Sequence, residues 1–291
     1  MNERYDHYDS WAWLYDETIG PCYGIEQFTV LERVLLPHLS PGAHLFDLCC
    51  GTGQLIRSLL KAGYQVTGLD GSEEMLVRAR VNAPEADYIL EDARKYREVG
   101  KYDAAFSTSA SLNHIPTLAD LRAVFANIFA SLRNDGIFVF DLNHPEQMKK
   151  WWRDRPLEGT LNKDWAWMVT PSYQSEENKG QFRVTTARRS KNNPFFSAFL
   201  RPFKIALYKL LSRERFIGLR LKLIQGLAKI EPHWDHRQME FSVTGHSLED
   251  ILKILKEVGF HQVDLQALDG KSDLDADHSA YFICRKENGG A

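Results

Sequence analysis

Between residues 44 and 143 the chain repeats one pattern: a short apolar run, a turn, then an amphipathic stretch. His44-Leu45-Phe46-Asp47-Leu48-Cys49-Cys50 reads as a buried strand, closed by the turn Gly51-Thr52-Gly53. Helical periodicity runs from Gln54 to Ala62 and stops at Gly63. Further strands are expected at 65–70, 88–92, 102–107 and 136–141. Helices are expected at 73–82, capped by Ser72 with Glu73 and Glu74 at the positive end, and at 118–132. Strands joined by helices of this length require right-handed crossovers, so the fold class is α/β, doubly wound, with a mostly parallel sheet.

The register changes after Asn143. Residues 164–190 and 237–244 read as antiparallel strands, whereas a helix over 247–258 and strands at 262–265 and 279–284 return to the first pattern. The expected organisation is one seven-stranded sheet domain from residues 1–150 and 245–291. It is interrupted by an inserted antiparallel and helical cap over 151–244.

Charge is uneven. The chain carries −3 overall, which gives no general case for nucleic-acid binding. Residues 191–230 nevertheless hold nine Lys/Arg against the single acid Glu214, so this segment is +8 and the remainder −11. Its apolar residues suggest two helical stripes: Phe195, Phe196, Phe199, Phe203, Leu207, Leu210 and Leu211, then Phe216, Leu219, Leu223, Leu227 and Ile230. Pro202 breaks the first stripe or starts its second piece. The preferred reading is a helical lid over a substrate pocket; the alternative is a basic amphipathic element making peripheral contact with an anionic membrane. No window offers 18 consecutive apolar residues, and the first residues lack the basic flank and apolar run of a secretory signal. Four cysteines without C-x-x-C spacing suit reduced thiols, a cytoplasmic setting and no bound metal.

The strand ends carry the chemistry. Glycines at 51 and 53 let backbone approach a ligand, and the helix that follows offers its positive N-terminus. The dinucleotide fingerprint G-x-G-x-x-G would need glycine at position 56, where Ile56 stands. Asp70 closes the second strand nineteen residues after Gly51, placed to accept from both hydroxyls of a ribose. Asp92 closes the third, placed to accept from an adenine amine, and Met75 can lay its thioether on the base.

Residues 44–143 resemble class I S-adenosylmethionine-dependent methyltransferases. The acidic glycine-rich motif stands as Asp47-x-Cys49-x-Gly51-x-Gly53, with Cys49 replacing the usual first glycine. The strand-end acids match Asp70 and Asp92, and Leu132-Arg133-Asn134-Asp135-Gly136 stands for the family's L-K-P-G-G. The segment Ser107-Thr108-Ser109-Ala110-Ser111-Leu112-Asn113-His114 matches the family's loop after the fourth strand. The lead-in Tyr8-Asp9-Ser10-Trp11-Ala12-Trp13-Leu14-Tyr15-Asp16 is similar to that of small-molecule methyltransferases, including amino-sugar N-methyltransferases.

The resemblance implies a Rossmann-like sheet and S-adenosylmethionine as cofactor, with S-adenosylhomocysteine as product. It implies cofactor contacts from Tyr15, Asp47, Cys49, Gly51, Gly53, Asp70, Gly71, Met75, Asp92, Ala93, Ser107, Thr108 and Ser109, with Tyr15 on the methionine carboxylate. Asn113 and His114 would meet the acceptor, and His114 is the candidate general base because it titrates near neutrality. Trp234, His236 and Arg237 would line the acceptor pocket from the cap. The spacing of His233 and His236 does not make a metal site, since no other ligand motif accompanies it. The implied function is methyl transfer to nitrogen or oxygen of a small-molecule metabolite by a monomer or homodimer. The alternatives are a lipid- or quinone-like acceptor at a membrane surface, and a non-catalytic nucleotide-binding regulatory module.

Overall fold

The computed structural model describes residues 3–189, 201–267 and 274–287. Helix α1 (Glu3–Leu14) passes through a π-helical turn (Tyr15–Ile19) into α2 (Gly20–Val34). Then come β1 (His44–Leu48), α3 (Gln54–Lys61), β2 (Gln65–Asp70), α4 (Glu73–Asn82), β3 (Asp87–Leu90) and β4 (Tyr102–Ser107). A 3-10 turn (Ser111–His114) precedes α5 (Leu118–Ser131), β5 (Leu132–Leu142) and α6 (Pro145–Trp151). The inserted segment holds β6 (Glu158–Leu161), β7 (Trp165–Gln174), β8 (Lys179–Arg189), α7 (Arg201–Leu211), α8 (Ile217–Gln225), α9 (Leu227–Ile230) and β9 (Trp234–Thr244). The chain closes with α10 (Leu248–Val258), β10 (Gln262–Ala267) and β11 (Ala280–Arg285).

Two compact units result: residues 1–147 with 244–291, and residues 148–243. The first is built on a seven-stranded sheet in the order β10-β11-β5-β4-β1-β2-β3. β1 to β5 are parallel to one another, and β11 runs antiparallel to both β5 and β10. Parallel strands covered on both faces must be apolar throughout, which is why Leu45, Phe46, Ala104, Ala105, Phe106, Val139 and Phe140 are all fully buried. Helices cover one face through Leu121, Val124, Phe125, Ile251 and Leu255, and the other through Leu31, Val34, Ile56 and Leu59.

Side-chain caps fix where the helices start. Ser72 Oγ accepts from Met75 N, Thr117 Oγ1 from Asp120 N, and Ser247 Oγ from Asp250 N. β5 begins four residues before the expected Gly136, because Leu132 pairs with Tyr102 ahead of a register shift. The exposed polar residues Arg133, Asn134 and Asp135 ride on that irregularity.

The second unit has a four-stranded sheet, order β6-β7-β8-β9, with β6–β7 and β7–β8 antiparallel. Its core joins Leu161, Ala166, Met168 and Ala187 of the sheet to Tyr208, Leu211, Leu221, Ile224 and Leu227 of the helices. The expected stripes are therefore rotated. Leu211 and Leu227 are buried as expected, but Tyr208, Leu221 and Ile224 do the packing, while Phe203, Leu210, Leu219 and Ile230 face outward. Pro202 sits in the first turn of α7, where its missing N–H costs nothing. Phe195, Phe196 and Phe199 lie outside the described residues. Among the described residues no helix is long and apolar enough to cross a membrane.

Candidate functional site

In the first unit the strand order reverses between β1 and β4. Chains leave these two strands toward opposite sides, so a crevice must open beyond their carboxyl ends. A cleft lies there. The β1 side contributes Asp47, Cys49, Cys50 and Thr52, and the β4 side Thr108, Ser109 and Ser111. Tyr15 and one face of α2, with Gly20, Tyr23, Gly24 and Gln27, supply the third wall. Among the described residues no lysine, arginine or histidine lines it.

The turn after β1 is held in left-handed backbone: φ is +65° at Cys49, +55° at Gly51 and +74° at Gly53. Cys49 thus adopts a left-handed conformation that favours glycine, at a strain of about 1–2 kcal/mol. At Gly53 a Cβ would stand 3.0 Å from the Ala79 Cβ and 3.2 Å from the Tyr88 hydroxyl, so the position accepts neither an L side chain nor its volume.

Asp70 ties this turn to the next. Its carboxylate accepts from Gly51 N and Ser72 N, each at 2.9 Å. Burial raises the Asp70 pKa, and the N–H donors of Ser72, Gly51 and Gly71 oppose that rise. Gly71 is needed for a different reason: a Cβ there would run into the Tyr5 ring of α1. Asp9 adds to the same junction by accepting from Ser72 Oγ and Glu74 N. Met75 is buried in the first turn of α4.

Asp47 is 3% exposed and its carboxylate accepts no hydrogen bond from any described residue. Burial, then the nearby Asp70, pushes its pKa well above the usual carboxylate range. The buried hydroxyls Thr52 Oγ1 and Ser107 Oγ also lack partners. Burial, reinforced by Asp47 and Asp70, raises the Tyr15 phenol, which is therefore a neutral donor at the cleft. An unpartnered buried carboxylate beside a second one, in a cleft with no cation, is complementary to a positively charged ligand. The anionic pyrophosphate of a dinucleotide does not suit it. S-adenosylmethionine, a sulfonium bearing an ammonium group, does.

Asp92, just past β3, is held by its neighbour. Arg94 Nε reaches both its oxygens at 2.9 and 3.1 Å, and Arg94 N donates to Oδ1. The carboxylate expected at an adenine amine is thus already engaged by a guanidinium. The Ala93 carbonyl accepts from Asn127 Nδ2 at 3.0 Å.

On the β4 side, Ser109 and Ala110 are both left-handed, with φ of +60° and +54°. Asp141, at the end of β5, holds this bend: both its oxygens accept from Ala110 N, at 2.9 and 3.0 Å. Burial lifts the Asp141 pKa to about 7. A carboxyl whose folded pKa lies above its unfolded value contributes stability that is complete at low pH and is lost as pH rises through the folded value. Asp141→Asn, which keeps an acceptor for Ala110 and cannot ionise, is therefore expected to be more stable than wild type near pH 8. The gain should be on the order of 2–4 kcal/mol and should vanish near pH 4. Urea unfolding at the two pH values checks this, and an equal effect at both would contradict it. Neither Asp141 nor the α2 wall was legible from motif spacing. For α2 the available signal was Gly20 and Gly24, four apart and so on one helix face.

Asn113 occupies a different place from the one expected. Its Nδ2 donates to the carbonyls of Asn143 and Thr244 at 2.9 and 2.8 Å, and its Oδ1 accepts from Asn143 N at 2.9 Å. Fully buried, it knots the post-β4 turn to two later segments and leaves no amide proton for an acceptor. His114 beside it is half-buried, with the Tyr8 ring edge-on at 5.7 Å. Within the second unit, Trp234 belongs to the apolar core, His236 Nε2 lies 2.8 Å from the Glu231 carbonyl, and exposed Arg237 pairs with Asp235.

Fold and cleft define a class: a Rossmann-like domain with an acid-lined crevice at its switch point. A family model described as a methyltransferase domain matches residues 45–136. A putative methyltransferase, YqeM, of Bacillus subtilis is 33% identical over 140 residues, covering 47% of this chain and 55% of that protein. A dTDP-3-amino-3,4,6-trideoxy-alpha-D-glucopyranose N,N-dimethyltransferase of Streptomyces venezuelae is 31% identical over 133 residues, covering 46% and 52%. The chain spans 55% to 62% of the length of the first curated relatives it matches. The crystal structure of an S-adenosylmethionine-dependent methyltransferase from Clostridium acetobutylicum superposes with a TM-score of 0.67 over 97% of this chain and 99% of that one. At 15% identity that likeness shows a shared fold. Residues 45–136 thus carry a methyltransferase domain.

Proposed function

We propose that this protein transfers a methyl group from S-adenosylmethionine to an amine nitrogen of a small-molecule acceptor. The observation that carries the cofactor half is the buried, unpartnered Asp47 in a cleft without cations. The names of two relatives, both amino-sugar N,N-dimethyltransferases, support the acceptor half.

In this reading Asp47 and the Tyr15 phenol hold the methionine end, and Asp70 holds the ribose. The turn 49–53 brings backbone N–H groups close to the ligand. When bound, the cofactor supplies an electrophilic methyl on a sulfonium. The chain's own contribution is then largely placement, because in-line displacement by a well-positioned nucleophile gains most of its acceleration from orientation. An ammonium acceptor must first lose a proton, and His114 is the group assigned to take it.

Incubating the protein with a metabolite mixture should yield cofactor-dependent products heavier by about 14 mass units, one CH2, with amines as the modified class. Products confined to alcohols, or none from any amine pool, would contradict the reading.

A further inference from the structure

The second unit carries a surface that is neither in its own core nor in the lining of the cleft. Helices α7 and α8 bury Tyr208, Leu211, Leu221 and Ile224 against their own sheet. The turn between them is different. Residues 212–219 are exposed except for half-buried Phe216, and a Cβ on Gly218 would meet only open space. Ile217 is 42% and Leu219 57% exposed. Arg213 and Arg215 flank Glu214 in the same turn, with Lys209 and Lys222 exposed on the adjoining helices. None of these four cations forms an ion pair with a described residue. This density of unpaired positive charge beside bare aliphatic side chains falls in a chain whose net charge is −3.

We propose that this turn docks peripherally on an anionic phospholipid surface. Aliphatic side chains of this size settle at the boundary between headgroups and acyl chains, while flanking Lys and Arg extend to the phosphates. Charge complementarity selects the lipid. The segment 191–230 is +8 and the rest of the chain −11, so an anionic surface attracts this turn and repels the remainder. Single-stranded nucleic acid would also meet the cations, but it is held by free aromatic faces. The aromatic ring of this turn, Phe216, is already covered by the Arg215 guanidinium at 4.7 Å. The exposed partners Ile217 and Leu219 offer no stacking face.

Co-sedimentation of the whole protein with vesicles tests this, and needs neither cofactor nor acceptor, so its outcome is separate from that of the methyltransferase reading. Binding is expected to phosphatidylcholine–phosphatidylglycerol vesicles and not to phosphatidylcholine alone, and to fall steeply with added salt. Arg213→Gln with Arg215→Gln should weaken binding about 25-fold, roughly fivefold for each cation lost. Leu219→Asp should weaken it too, while both variants keep the wild-type melting temperature, since these side chains are exposed. No binding to the mixed vesicles, equal binding to both compositions, wild-type binding by the variants, or preference for an oligonucleotide over the vesicles would each overturn the proposal.

Discussion

His114→Ala is expected to lower methyl transfer about 10²- to 10⁴-fold, the span for losing a general base, while leaving cofactor affinity nearly unchanged. The expectation rests on where the ring is held. His114 ends the turn that starts at Ser111, a residue of the cleft wall. Buried Leu112 and Asn113 pin that turn from below, and Asn113 is fixed by three hydrogen bonds to backbone. A base on so rigid a mount can meet an incoming ammonium without reordering. Near-normal turnover of the variant at neutral pH would make His114 structural and leave positioning alone to carry the reaction.

The second large effect belongs to Asp70. Its two oxygens receive Gly51 N and Ser72 N, one from each of the turns that follow β1 and β2. Under the proposed function Asp70→Ala removes the ribose acceptor, and it also frees the Gly51 and Ser72 N–H groups. Hydrogen bonds to a charged group contribute about 1.5–3 kcal/mol, so S-adenosylmethionine binding should weaken by roughly 10- to 150-fold. Titration calorimetry reads this directly. Asp70→Asn, which retains an acceptor oxygen, should fall between the two. An unchanged affinity in the alanine variant would remove Asp70 from the site.

Much of the parallel sheet was legible because strands buried on both faces must be apolar runs, and acids at their ends stand out against that background. Asp47 and Asp70 were visible for this reason. What the sequence could not show is what a side chain meets across space. Asn113 and Asp141 look like polar loop residues, yet each closes a hydrogen-bond knot between distant segments. Asp92 reads as a free strand-end acid until Arg94 turns back on it. The α2 wall depends on a helix packing close enough that only glycine fits: at Gly24 a Cβ would be 2.9 Å from the Gln54 Cβ. In α7 and α8, apolar residues occur all round, so periodicity found Leu207, Leu211 and Leu223 but missed Tyr208, Leu221 and Ile224.

The central claim is that the cleft at the β1–β4 switch point accepts a cationic adenosyl ligand. Titrating the wild-type protein with S-adenosylmethionine and with NAD, across a range of pH, tests it most directly. The pKa of Asp47 is raised by burial, and a cationic ligand binds its ionised form. Affinity should therefore rise with pH through that value, and binding should release protons to the buffer. The account predicts one site for S-adenosylmethionine with this pH dependence and no heat from NAD. Saturable NAD binding, or S-adenosylmethionine affinity that strengthens toward acid, would contradict it.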